Sequence, residues 1–107
     1  MESATFILKC DEIEEVLRIA PGQSVVVGRH PDTDLVLDRA AVSRQHLGLV
    51  NDGSKLQLNV LQARGGVLVN NKYVGESCEL VPGDRLNVCE LILVVAIESM
   101  DGGTDAQ

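Results

Sequence analysis

The chain has 107 residues, about one domain's worth, and 45% of them are apolar, enough to fill a core. That core must be aliphatic, because Phe6 and Tyr73 are the only aromatic residues. A net charge of −7 argues against a binder of duplex nucleic acid, and two aromatics offer no stacking platform for single strands.

No apolar run is long enough to span a bilayer, and the first residues lack a signal-peptide pattern. A cytoplasmic domain without direct membrane contact, or the cytosolic part of a larger protein, is the expectation. The cysteines Cys10, Cys78 and Cys89 are odd in number and share no metal-ligand spacing. Cys10 and Cys89 sit in apolar runs and read as small core residues. No metal and no cofactor is expected.

In chain order, Thr5 to Lys9 reads as a strand, and Glu15 to Ile19 as its hairpin partner across the break at Asp11-Glu12. A helix over Asp11 to Ala20 ranks second, because Pro21-Gly22 cuts it to about ten residues, short for an isolated helix. Ser24 to Gly28 is a strand whose consecutive valines predict burial on both faces. Leu35 to Leu37 is a short strand, and His46 to Val50 another, closed by the turn Asn51-Asp52-Gly53. Lys55 to Leu61 alternates, with Leu56, Leu58 and Val60 on one face. Asn70-Asn71-Lys72 is a tight turn between Val67–Val69 and Tyr73-Val74, built from residues that tolerate positive φ. Glu79 to Val81, Arg85 to Val88 and Leu91 to Glu98 complete about ten short strands. So many short strands at close intervals predict a β-sandwich or barrel over residues 1–98. Residues 99–107, rich in Gly and Asp, read as a flexible tail or the start of a linker to something larger.

Within this pattern Val25 to His46 concentrates hydrogen-bond donors. A strand ends on Gly28-Arg29, and a later loop carries Ser43-Arg44-Gln45-His46. Donors converging on one spot make an anion site. Arg29, Arg39, Arg44 and Arg64 all fall between expected strands, so an acidic body carries a local basic spot. Such a spot suits a small anionic group better than a long phosphate backbone.

Four pieces in order then carry a resemblance: Gly28-Arg29; Ser43-Arg44-Gln45-His46; Gly66-Val67-Leu68-Val69-Asn70-Asn71; and Pro82-Gly83-Asp84-Arg85-Leu86. Together they resemble a forkhead-associated (FHA) domain over roughly residues 5 to 98. The resemblance implies an all-β sandwich of two twisted, mostly antiparallel sheets with about 10–11 strands. It implies a protein-interaction module that binds phosphothreonine peptides in loops at one end, and no enzyme. It assigns peptide or phosphate contacts to Arg29, Ser43, Arg44 through its backbone N–H, Arg64, Gly65 and Asn70. Gly28, which would let the strand turn sharply, and His46, which would brace the loops, support them.

One stretch departs from the family pattern. Where Ser/Thr-x-Asn-Gly-Thr is usual, this chain has Ala63-Arg64-Gly65-Gly66-Val67. Gly65 replaces the Asn that grips the peptide backbone, a loss of roughly 0.5–1.5 kcal/mol per hydrogen bond. Arg64 would compensate by strengthening the hold on phosphate. An alternative follows from the same departure: a degenerate FHA domain that docks a protein partner without phosphate. A Ser43–His46 pair with Asp34 or Asp38 would be the raw material of a hydrolase, but no nucleophile elbow surrounds Ser43.

Overall fold

The computed structural model describes residues 3–62 and 67–101. Eleven strands are present among them: β1 (Ser3–Cys10), β2 (Glu15–Ile19), β3 (Ser24–Gly28), β4 (Leu35–Val36), β5 (Leu47–Asn51), β6 (Leu56–Val60), β7 (Val67–Val69), β8 (Lys72–Val74), β9 (Ser77–Leu80), β10 (Arg85–Val88) and β11 (Leu91–Asp101). One sheet runs β2-β1-β11-β10-β7-β8 and the other β4-β3-β5-β6-β9. Every pairing is antiparallel except β3 with β4. This is the expected two-sheet sandwich.

Alternation builds it. Ala4, Phe6, Leu8 and Cys10 of β1 point inward, as do Leu91, Leu93 and Val95 of β11. Val25 and Val27 of β3, Leu47 and Leu49 of β5, and Leu56 and Leu58 of β6 meet them from the other sheet. Phe6 is the one aromatic ring in this core, so packing rests on interdigitated aliphatics. The expectation of two-sided burial at β3 holds only in part, because Val26 is half-buried.

Asp11–Ile13 forms one 3-10 turn, which ends on Glu14 at φ 55°. The β1–β2 hairpin therefore displaces the helical alternative: pairing Phe6 with Ile19 and Leu8 with Leu17 buries Ile19 fully. The expected strand limits shift too. β11 reaches Asp101, opposite Ser3, past the expected end at 98. Its register with β1 slips between Thr5 and Phe6, a β-bulge.

The turn predicted at Asn51-Asp52-Gly53 joins β5 to β6, and Asn51, the last residue of β5, is fully buried. Its Nδ2 donates to the carbonyls of Ala4 and Ile19, both at 2.8 Å, and its Oδ1 accepts from Gly53 N at 2.8 Å. One side chain thus bolts β5 to β1 and β2 of the opposite sheet.

Candidate functional site

The site is built around the end of β3. There the strand lies between two segments: Leu37 N donates to Gly28 O at 2.7 Å, and His46 N donates to Val27 O at 2.9 Å. Beyond the strand, Arg29 N donates to Ser43 O at 3.0 Å and His30 N to Arg44 O at 3.2 Å. The loop 43–46 is therefore laced along β3 as an extension of its ladder. Gly28 is required there. A Cβ at this position would sit 2.1 Å from the Arg44 carbonyl oxygen. Close approach of two backbones, rather than a sharp turn, is its physical role.

The turn after Arg29 is equally fixed. Thr33 N donates to His30 O at 3.0 Å, and Thr33 Oγ1 lies 2.7 Å from the same oxygen. Asp34 pairs with Val26 both ways: its N–H donates to Val26 O, and its Oδ2 accepts from Val26 N, each at 2.8 Å. Arg29 is thus held at a bend whose two sides are both anchored. Its Nε donates to Val42 O at 3.0 Å. That bond orients the guanidinium and leaves its two terminal amino groups without a partner among the described residues.

His46 is buried, and its Nδ1 accepts the backbone N–H of Ser43 at 3.1 Å. The ring thereby ties the two ends of the loop 43–46 together. Ser43 Oγ donates instead to Gln62 O at 3.1 Å. The Ser43–His46 contact therefore runs through a backbone amide, and the hydroxyl proton faces away from the imidazole. This pair is not set as nucleophile and base.

These elements surround a cleft of about 810 Å³ lined by Arg29, Ala40, Ala41, Val42, Ser43, Arg44, His46, Gln62, Leu68, Asn87 and Cys89. Among the described residues two arginines line it and no carboxylate does, in a chain of net charge −7. Arg44 is exposed, and its backbone N–H has no hydrogen-bond partner among the described residues. A rigid guanidinium fork, a second guanidinium, a hydroxyl and an open amide can together receive a tetrahedral oxyanion.

Of the residues singled out in the sequence, Arg29, Ser43, Arg44 and His46 come together here, with Gly28 beneath them. Asn70 does not. Its Nδ2 donates to Asp84 Oδ1 at 2.9 Å and its Oδ1 accepts Arg85 N at 3.0 Å, so the amide ties the β7–β8 turn to β10. Its own φ of 51° places it in that turn as a backbone device. Arg64 and Gly65 lie outside the described residues. Arg39 does not line the cleft.

Gln62, Leu68, Asn87 and Cys89 were not anticipated in the cleft. Cys89 is a correction: it is no core strand residue but half of the two-residue β10–β11 turn, at φ 51°. Its Sγ donates to Ala41 O at 3.2 Å and closes the gap between the sheets. Partial burial, and then the charge of neighbouring Glu90, push this thiol's pKa up and keep it a donor.

The FHA domain family model matches residues 25–89, more than half of the chain and every element of the cleft. The chain belongs to the FHA family. Among curated relatives, the transcriptional regulatory protein EmbR of Mycobacterium tuberculosis is 36% identical over 64 residues. These are 60% of this chain and 16% of EmbR. The glycogen accumulation regulator GarA of Mycolicibacterium smegmatis is 33% identical over 81 residues, 74% of this chain and 51% of GarA. The chain thus spans about half the length of GarA and about a sixth of that of EmbR. An FHA domain solved in a study of phosphothreonine-dependent FHA domain interactions superposes with a TM-score of 0.81 at 27% identity, covering 89% of this chain and 98% of that one. EmbR itself has been solved with a low-affinity phosphopeptide; that chain aligns with a TM-score of 0.79 at 27% identity, over 96% of this chain and 26% of EmbR. Among the described residues of this FHA domain no helix is long and apolar enough to cross a membrane.

Proposed function

We propose that this FHA domain is a phosphothreonine-peptide reader, a protein-interaction module whose partner is a phosphorylated protein. One observation carries the reading: in a strongly acidic chain, the cleft at the end of β3 is lined by Arg29 and Arg44 and, among the described residues, by no carboxylate. A phosphate with a charge near −1.5 to −2 matches that cleft in sign and in its number of acceptors.

In this reading Arg29 makes the principal contact. Its Nε bond to Val42 fixes the fork before the ligand arrives, so little side-chain entropy is lost on binding. The open backbone N–H of Arg44 supplies a second donor, and its guanidinium adds charge at the cleft's rim. Ser43 contributes its hydroxyl by exchanging the bond to Gln62 O for one to the phosphate. Arg64 is assigned to the same anion and Gly65 to the peptide backbone. His46 and Gly28 hold the loop and touch nothing of the ligand.

The test is a degenerate phosphothreonine peptide library, with an unphosphorylated library as control, on the wild-type domain and on Arg29→Ala. Phosphate-dependent capture that disappears in the variant is expected. Equal capture of both libraries by a folded wild-type domain would overturn the reading in favour of phosphate-independent docking.

A further inference from the structure

The outer face of the six-stranded sheet carries a second positive region. Strand alternation assigns it. Leu8 of β1 and Leu93 of β11 are fully buried, so their neighbours Ile7, Lys9 and Val94 point outward. Register pairing then sets one row across four strands: Val16 of β2 opposite Lys9, Lys9 opposite Val94, and Val94 opposite Arg85 of β10. Apolar and cationic side chains alternate along this row. The next row holds Arg18, Ile7 and Ala96. None of the residues in the two rows lines the cleft.

This face is open and its charge is one-sided. Val16 is 57% exposed, and Ile7, Val94 and Ala96 are half-buried. Lys9 and Arg85 are exposed, and among the described residues neither side chain makes an ion pair. Among the side chains described, one carboxylate shares the face, Glu98, and Arg18 engages it at 2.6 Å. The acids of the β1–β2 turn stand beyond the strand ends, where Glu12 accepts Ile92 N at 3.4 Å. A chain with 16 acidic and 9 basic residues thus turns two unpaired cations outward among aliphatic side chains.

An apolar surface interleaved with uncompensated charge suits protein docking and prescribes the partner's sign. Adjacent strands lie about 4.8 Å apart, so Lys9 and Arg85, separated by β11, stand about 10 Å apart. Two turns of α-helix rise about 10.8 Å. A helix laid along the row can set carboxylates at i and i+7 on Lys9 and Arg85, with an apolar side chain between them on Val94. We propose that this face docks an acidic amphipathic helix of a partner protein. Two other occupants fit worse. A second copy laid face to face would oppose cations to cations. An anionic membrane would repel a body of net charge −7. The face is independent of the phosphate cleft, so one domain can hold a phosphorylated segment and an unphosphorylated helix at once.

The test is a library of unphosphorylated helical peptides, randomised on one face. It is selected on wild type, on Arg29→Ala and on the double variant Lys9→Glu/Arg85→Glu. Both changed side chains in the double variant are exposed, and thermal melts check that each variant folds. Wild type and Arg29→Ala should both enrich peptides with Asp or Glu at i and i+7 and an apolar residue between. The double variant should enrich Lys or Arg at those positions instead. The best wild-type peptide should bind the double variant about tenfold more weakly by calorimetry. No acidic preference in folded wild type, or one that survives the double variant, would overturn the docking face. An acidic preference that vanishes in Arg29→Ala would overturn it too, by placing the acids in the cleft. Sedimentation of wild type with phosphatidylserine vesicles, or a dimer that the double variant abolishes, would replace the helix with a membrane or a second copy. Acidic enrichment that holds while phosphothreonine-dependent capture fails would overturn only the phosphopeptide reading.

Discussion

Two residues hold the two ends of the sandwich, and neither touches the cleft. Gly28 permits the approach of two backbones beneath Arg29. Adding one methyl, Gly28→Ala, places carbon 2.1 Å from the Arg44 carbonyl oxygen, so the loop 43–46 must move. We expect a melting temperature lower by several degrees and phosphopeptide affinity reduced at least tenfold, read by calorimetry on the folded fraction. At the other end Asn51 satisfies two carbonyls and one amide from a fully buried position. Asn51→Ala should cost roughly 2–4 kcal/mol in urea denaturation, because the partners it leaves unpaired lie deep in the sandwich. Phosphopeptide affinity of the folded fraction should be unchanged. A cost below about 0.5 kcal/mol would mean that the bolt does not matter.

At the scale of elements, the two tight hairpins of the six-stranded sheet differ in how they reach positive φ. In the β7–β8 turn Asn70 and Asn71 lie at φ 51° and 69°, a conformation asparagine tolerates. In the β10–β11 turn Cys89 and Glu90 lie at φ 51° and 75° with no such dispensation. Glu90→Gly should therefore stabilise the domain by about 0.5–1 kcal/mol in denaturant melts, and unchanged or lower stability would contradict strain at that turn. The contrast shows what could be read in advance. Alternating apolar residues announced nearly every strand, and Asn70-Asn71 announced its turn, because local chemistry and final structure agree there. Cys89 was misplaced because its conformation is imposed by β10–β11 pairing rather than chosen by its side chain. Asn51-Asp52-Gly53 announced the β5–β6 turn, but not the burial of Asn51: its amide finds its carbonyls across the sandwich, where no local pattern points. In the cleft, Arg29, Ser43, Arg44 and His46 were legible because they lie in one contiguous stretch with the strand that positions them. Leu68, Asn87 and Cys89 come from the other sheet, and only tertiary pairing brings them there.

For the whole molecule, charge is the governing quantity. A local positive cleft sits on a body of net charge −7. The cleft attracts a phosphate at contact, while the body repels acidic residues farther along the peptide. Salt screens the second effect over a Debye length of about 10 Å at 0.1 M and leaves the contact largely intact. Phosphopeptides with lysine flanks should therefore bind several-fold faster than those with glutamate flanks at low salt, and the difference should shrink as salt rises. Stopped-flow association rates would show it; equal rates for both flanks at low salt would contradict the role given to the body's field.

The most direct measurement is an NMR titration of the isotope-labelled domain with a single phosphothreonine peptide and its unphosphorylated twin. The phosphorylated peptide should move the backbone amide of Arg44, the open donor, together with the Arg29 side-chain Nε–H resonance, while the amide of Asn51 stays in place. The unphosphorylated peptide should leave all three where they were. Shifts that arise equally with both peptides, or that gather on a sheet face away from Arg29 and Arg44, would contradict it.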